Sequence, residues 1–404
     1  MSLRRQLPAY SPIPGRALAH GLKAALLGDR TGRRAVEARV RDRFGARDVL
    51  LVDSGTSALR LALAWAAAET PGRPVALPAY SCFDLVTAAV GAGAPISFYD
   101  LDPATLEPDV ASFESVLAEG PCAVVAVHLY GKAVDIPALD RMPRAAGVAL
   151  VEDAAQGVGS ELGGAPLGSL GSVSVLSFGR GKGLTGGSGG ALLANDEHGG
   201  AALDWIRSHG WLETASRGWR DWIASTVQWA LGRPEVYAIP TSMPFLHLGE
   251  TRYRPPTPPR RPSTASMAML DRTWEASLEE AGVRQRTAAR LLAEWSPNSG
   301  LFPVHARADA EPAWLRFPVL AEHDSAARTL RSAPARALGI MPGYPVPLAD
   351  LDAARELTFG EETSDHPGAV RLTQRLFTLP THNRLRETDL RQLDTLLRTG
   401  RLQA

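Results

Sequence analysis

An α/β fold is predicted, with a mostly parallel seven-stranded sheet in a large domain and a smaller α+β domain after it. Three observations predict it. Seven short apolar runs alternate with helix-forming stretches between residues 48 and 196. The runs are apolar on both faces, which suits strands covered by helices on both sides. A Pro-rich segment, RYRPPTPPRRPS (Arg252 to Ser263), then separates this pattern from a shorter mixture of helices and strand-like runs.

In chain order, residues 1–30 are Pro- and Gly-containing and read as an N-terminal arm. Ala35 to Gly45 reads as a helix. The strands are Asp48 to Asp53, Pro74 to Tyr80, Pro95 to Asp102, Ala123 to Gly131, Val148 to Ala155, Val173 to Phe178 and Gly189 to Asp196. Between them, Ser57 to Ala68, the stretch up to Gly91, Asp109 to Ala118 and the residues from Ile136 onward read as helices. The alternation stops at about 198, where a segment with Trp219, Trp222 and Trp229 begins. Beyond the Pro-rich segment, two helices (Ala265 to Ala281, Val283 to Trp295), strand-like runs (Trp314 to Leu320, Leu376 to Leu379) and a last helix (Glu387 to Arg398) complete the chain. The expected division is an arm (1–30), a large domain (31–255) and a small domain (256–404).

The 404 residues are 45% hydrophobic, enough for full cores, and 43 basic residues balance 43 acidic ones. A nucleic-acid footprint needs a clustered basic excess, so no nucleic-acid partner is expected. Cys82 and Cys122 are the only cysteines and show no metal-ligand spacing, so no metal site is expected and a reducing, cytoplasmic setting is. No apolar stretch reaches 18 residues, and the N-terminus has no apolar run of the kind a signal peptide carries. No integral membrane segment is expected.

In open α/β sheets ligands sit at the carboxyl ends of the strands, and the unusual residues fall there. Lys182 is one of three lysines and lies in the glycine-rich stretch Ser177 to Gly190. It reads either as a surface turn or as an amine able to form an imine with an aldehyde cofactor. Asp153 ends an apolar strand. Buried there, its carboxylate either caps the next turn or pairs with a cation such as a protonated pyridine nitrogen. Gln156 follows it by three residues. Ser54-Gly55-Thr56-Ser57 stands where a strand gives way to a helix, which is either a common cap or a phosphate cradle. Ser177 offers another hydroxyl. His128 follows an apolar strand and reads either as a contact for cofactor or substrate or, in preference, as a packed structural histidine. Lys132 and Arg180 are either solvated or contacts for an anionic substrate.

Several motifs in one order resemble the DegT/StrS sugar aminotransferases, which are fold-type-I pyridoxal-phosphate enzymes. They are Ser54 to Leu59, Pro78 to Ser81, Gly93 to Pro95, Val127 to Leu139, Glu152 to Gly159, Ser177 to Lys182 with the later Gly189-Gly190, and Leu379 to His382. The resemblance implies pyridoxal 5′-phosphate as cofactor, Lys182 as its imine lysine and catalytic residue, and Asp153 as the partner of the ring nitrogen. It also implies Gln156 near the ring, and Gly55, Thr56, Ser57 and Ser177 around the phosphate. Two departures stand out. Where the family stacks an aromatic on the ring, this sequence has Cys82 with Phe83 beside it, so either Phe83 swings in over the ring or it packs in the core and leaves a smaller group to cover the ring. The family's Asn that reaches the neighbouring subunit has no clear counterpart in residues 211–262, where Arg252 and Tyr253 are candidates.

By the same resemblance, an amino acid, expected to be glutamate, donates an amino group to a keto-sugar acceptor, expected to be nucleotide-linked. The active site is expected at a homodimer interface. A pyridoxal-phosphate lyase or cyclase, an aminotransferase for a non-sugar ketone, and a regulator or scaffold without turnover are the rival readings. Lys182 argues against the family's dehydratase branch, which has histidine there.

Overall fold

A computed structural model describes residues 4–241, 251–360 and 365–402. All seven expected strands are present: β1 (Asp48–Val52), β2 (Val75–Pro78), β3 (Ile96–Tyr99), β4 (Ala123–Val127), β5 (Ala149–Asp153), then, after a small hairpin of β6 (Glu161–Leu162) and β7 (Ala165–Pro166), β8 (Val173–Ser177) and β9 (Gly190–Ala194). They form one sheet in the order β1-β9-β8-β5-β4-β2-β3. Neighbours are parallel except around β9, which runs antiparallel to both β1 and β8. Nearly every strand residue is buried, which is why the runs are apolar throughout and do not alternate. The helix Gly55–Glu69 buries an Ala- and Leu-rich face against the sheet and the helix Asp84–Ala92.

The sequence runs overshoot the strands at their carboxyl ends. Tyr80, His128, Ala154 and Phe178 are apolar or aromatic enough to read as strand, yet they turn out of the sheet. Those extra residues build the loops that carry the site.

Glu152 on β5 has no exposed surface and accepts five hydrogen bonds: from His128 Nε2–H (2.9 Å), the amides of Gly168 (2.6 Å), Leu170 (2.9 Å) and Gly171 (2.8 Å), and the Ser174 hydroxyl (2.8 Å). Burial alone would raise its pKa. The His128 and amide hydrogen bonds outweigh that and hold it below the ordinary glutamate value. His128 Nδ1 accepts from the Val134 amide (3.0 Å), so the ring is locked between two structural partners. Glu152→Ala leaves these donors buried and unpaired. The expected cost is about 3 kcal/mol, read as a lower denaturation midpoint with an unchanged m-value.

The small domain adds an antiparallel sheet of β10 (Leu301–Pro303), β12 (Phe317–Ala321), β13 (Met341–Pro342) and β14 (Leu376–Leu379), while β11 (Ala310–Glu311) pairs with β6. One expectation is corrected here. The two helices expected around Gly282 are a single helix, Thr264–Ala293, of 30 residues. A mid-helix glycine costs only about 1 kcal/mol. Packing overrides it, because Met267, Leu270 and Trp274 sit in the large-domain core and Ala288 and Leu291 in the small one.

Within the expected arm, Gly15–Leu27 is a helix lying on this long helix. Gly21 permits the approach, since a Cβ there would meet Met269 Cγ at 2.5 Å. The Pro-rich segment is not free. Its Arg260 carbonyl accepts from the Asp53 amide, its Arg260 amide donates to Asp53 Oδ1, and its Thr257 carbonyl accepts from Arg60. Trp219–Leu231 forms a helix, and residues 242–250 of the Trp-rich stretch lie outside the described residues.

Candidate active site

β1 ends at Val52, and the helix Gly55–Glu69 starts directly after Asp53 and Ser54. Ser54 caps it, its Oγ accepting from the Ser57 amide at 3.0 Å. The first turn leaves amides without intrahelical partners at the positive end of the helix dipole, an arrangement that favours an anion. Two glycines make the geometry possible. A Cβ on Gly55 would lie 2.8 Å from Ser177 Cβ, so the end of β8 can close on the cap only over a glycine. A Cβ on Gly190 would lie 2.5 Å from the Ser54 carbonyl carbon, so β9 can pass behind it only as glycine.

The glycine-rich loop after β8 carries Lys182. What its glycines admit is protein: Cβ atoms on Gly183, Gly186 and Gly187 would strike Val158 O, Ser266 O and Ser225 Oγ at 2.8, 2.4 and 2.1 Å. The loop is therefore pressed against the long helix and its neighbours. From the N-terminal arm, Ser11 Oγ donates to the Lys182 carbonyl at 2.7 Å. The lysine backbone is held and its side chain is left half-exposed at the cleft.

That cleft is lined by Gly55, Thr56, Cys82, Asp153, Gln156, Ser177 and Lys182 among the residues singled out from sequence. Two others stay outside the lining. Ser57 is buried in the capping turn, where its Oγ accepts from Ser54 Oγ at 3.0 Å. Phe83 is 4% exposed and packs in the large core at the start of the helix Asp84–Ala92, so of the pair Cys82 and Phe83 it is Cys82 that faces the cleft.

Arg180 is exposed. Lys132 is buried against Glu107 (2.7 Å), so neither expectation of a substrate contact nor that of a solvated group describes it. Tyr253 packs against the large core, and neither it nor Arg252 lines the cleft.

Asp153 is 6% exposed and accepts one amide hydrogen bond, from Ala155 at 2.9 Å. Among the described residues it makes no ion pair. Burial raises its pKa above the ordinary aspartate value, with the Ala155 amide and the positive charge of Lys182 only partly offsetting this. Burial, reinforced by Asp84, pushes the Cys82 thiol up to about 12, so it stays protonated and donates weakly to Asp84 Oδ2 at 3.5 Å.

Sequence reasoning assigned no individual role to five residues here. Ser81 lines the cleft with a buried Oγ that has no hydrogen-bond partner among the described residues, and Asp84 lines it from the next helix. Tyr344 comes from the small domain and accepts from Gln156 Nε2 at 3.0 Å, while Gln156 Oε1 accepts from the Tyr130 amide at 3.3 Å. Tyr344 and Tyr130 stack with centroids 6.0 Å apart, and the Tyr80 hydroxyl accepts from the Tyr344 amide at 3.0 Å. The Pro78-to-Ser81 motif contained a signal for Ser81. Nothing local marked Tyr344.

Comparison with known proteins places the site in a family. The profile of the DegT/DnrJ/EryC1/StrS aminotransferase family matches residues 22–229. A "pleiotropic regulatory protein" of Geobacillus stearothermophilus is 31% identical over 213 residues, 52% of this chain and 56% of that protein, so the chain spans only about half the length of that relative. A UDP-N-acetyl-3-dehydro-alpha-D-glucosamine 3-aminotransferase of Acidithiobacillus ferrooxidans is 26% identical over 367 residues, 90% of this chain and 87% of that one. The crystal structure of 3-amino-5-hydroxybenzoic acid synthase superimposes with a TM-score of 0.76 at 21% identity, covering 98% of both chains, which establishes the shared fold. With its strand order, its capped helix at β1 and its lysine loop after β8, this chain belongs to the DegT/DnrJ/EryC1/StrS aminotransferase family.

Proposed function

We propose that this chain is a pyridoxal-phosphate-dependent aminotransferase that moves an amino group from an amino acid, glutamate by preference, to a keto-sugar acceptor, nucleotide-linked by preference. The observation that carries the reading is that Lys182 and Asp153 line one cleft. The residues fit the cofactor. A buried carboxylate without a counter-cation suits a protonated ring nitrogen, the first turn of the helix Gly55–Glu69 offers amides at the positive end of its dipole, and Ser81 Oγ lacks a partner among the described residues. When bound, pyridoxal phosphate supplies an aldehyde for amines and a ring that accepts electron density from the substrate carbon.

Asp153 would hold the proton on the ring nitrogen, and each would relieve the other's unpaired charge. Gly55 and Thr56 at the helix start, with Ser177, would hold the phosphate. Cys82 would lie against the ring as a small apolar thiol. Gln156, fixed by Tyr130 and Tyr344, would orient the ring edge. Lys182 Nζ would take the proton from the donor's α-carbon and later return one to the acceptor's carbon.

The test is a half-reaction. The protein with cofactor should show a visible band that borohydride abolishes, and glutamate alone should convert it to the amine form with release of 2-oxoglutarate. No conversion by any amino acid would sink the transfer reading and favour a lyase, or the non-catalytic role suggested by the relative named a regulatory protein. A panel of keto-sugar nucleotides and cyclic ketones then tests the acceptor.

We also infer a cytoplasmic homodimer. Leu26, Leu27, Ile223 and Val227 are each about half or more exposed on two adjacent helices, an apolar patch suited to a subunit contact. Both cysteines are free, as a reducing compartment keeps them. No described helix is long and apolar enough to cross a membrane. Light scattering that returned a monomer mass would refute the dimer.

A further inference from the structure

We propose that a second cavity, lined by Arg30, Arg33 and Arg261, is a binding site for a phosphoryl group. The cavity lies between the start of the helix Thr31–Phe44 and the start of the long helix Thr264–Ala293. Three arginines from two distant stretches of chain line it, Arg33 partly buried and Arg30 and Arg261 exposed, together with Thr214.

None of the three guanidiniums has a hydrogen bond or ion pair within the described residues. Other arginines of this chain find carboxylates: Arg39 with Asp271, Arg207 with Asp48, Arg260 with Glu213, Arg290 with Glu387 and Asp394. The acidic residue at the rim, Asp29, spends one oxygen on the Thr31 amide (2.9 Å). Burial and then the like charges of Arg261 and Arg30 act on Arg33 to lower its pKa, with Glu37 offsetting only part. Like charges converging on a cavity repel unless an anion joins them. Planar guanidiniums pair bidentately with phosphoryl oxygens, and three of them exceed what one carboxylate can satisfy.

The long helix does not compete for the ligand, because its first amides are already bonded. Thr264 and Ala265 donate to Ser216 O and Arg217 O, and Ser266 to Ser263 Oγ. The cavity shares no lining residue with the Lys182 cleft. It is nonetheless near the cradle end of that cleft, since the Asp53 amide donates to the Arg260 carbonyl (3.0 Å) and the Arg260 amide to Asp53 Oδ1 (3.2 Å), Asp53 being the residue before Ser54.

Calorimetry with inorganic pyrophosphate on the cofactor-saturated protein tests the assignment. The wild type should bind, with affinity falling steeply as salt is added. Arg33→Gln and Arg261→Gln should each weaken binding about 10-fold or more, as loss of a charge-assisted hydrogen bond does, and the pair should abolish it. Absence of binding by the wild type, or equal affinities in the variants, overturns the site. A melting curve for each variant guards against misfolding.

Kinetics then separate two sources of the same chemistry. If the phosphoryl group belongs to the acceptor, Arg261→Gln raises KM for a phosphorylated ketone and leaves that for an uncharged ketone unchanged. If it belongs to a separate small anion, pyrophosphate binding falls while both KM values hold. The glutamate half-reaction persists in either variant, so its failure in the wild type would count against the Lys182 cleft and not against this cavity.

Discussion

Lys182→Ala is expected to lower amino transfer by about 10,000-fold or more while leaving the fold intact. One amine would act in turn as base and acid, and each such proton transfer is worth roughly 100- to 10,000-fold. Little stability should change. Lys182 is half-exposed, its side-chain nitrogen has no hydrogen-bond partner among the described residues, and Ser11 holds its carbonyl and not its side chain. The measurements are steady-state rate, the visible band, and a melting curve. A Lys182→Ala protein that kept both the borohydride-sensitive band and turnover would move the catalytic amine elsewhere. Only Lys23 and Lys132 remain for that, and Lys132 is buried on Glu107.

Asp153→Asn should separate activity from stability in opposite directions. Transfer is expected to fall about 1,000-fold, as for removal of a fixed group that stabilises charge in the transition state. The cofactor-free protein should become more stable at neutral pH. The sign follows from the raised pKa. A carboxyl that is harder to ionise in the fold than in the unfolded chain favours folding below its ordinary pKa. It loses that contribution as pH climbs to the raised value, and is flat above. The wild-type cofactor-free protein should therefore lose stability across that acid window, and the amide variant should not. The gain at neutral pH should appear as about 2–4 °C in melting temperature for each kcal/mol recovered. With cofactor bound the order should reverse, because the wild-type carboxylate then has its cation. Equal melting temperatures for the two cofactor-free proteins at every pH would mean that Asp153 is not the strained group described above.

The sheet was legible because its strands are short, buried on both faces and separated by amphipathic or Ala-rich helices. Such runs admit few other readings. The cap at Ser54, the acid at Asp153 and the lysine loop were legible because each sits where a strand stops, and the cleft brings them together. Ser57 and Phe83 were less so. A hydroxyl in a first helical turn can bond its own cap as readily as a ligand, and Ser57 does so. An aromatic next to a cleft residue can turn into the core, and Phe83 does so.

Other features depended on which distant segments meet. Gly282 looked like a break because its intrinsic propensity is poor, yet two cores gripping the same helix made it continuous. Tyr344, 188 residues from the Gln156 it bonds, carried no local mark. Neither did the convergence of Arg33 with Arg261.

By itself, then, the order of residues determined the period of each element, the strand ends and the chemical types waiting there, since these follow from local backbone preference and from burial of apolar runs. Tertiary structure alone decided which side chain of a neighbouring pair faces the cleft, which charges find partners and which are left opposed. Those outcomes depend on contacts closed across hundreds of residues, and no local pattern encodes them.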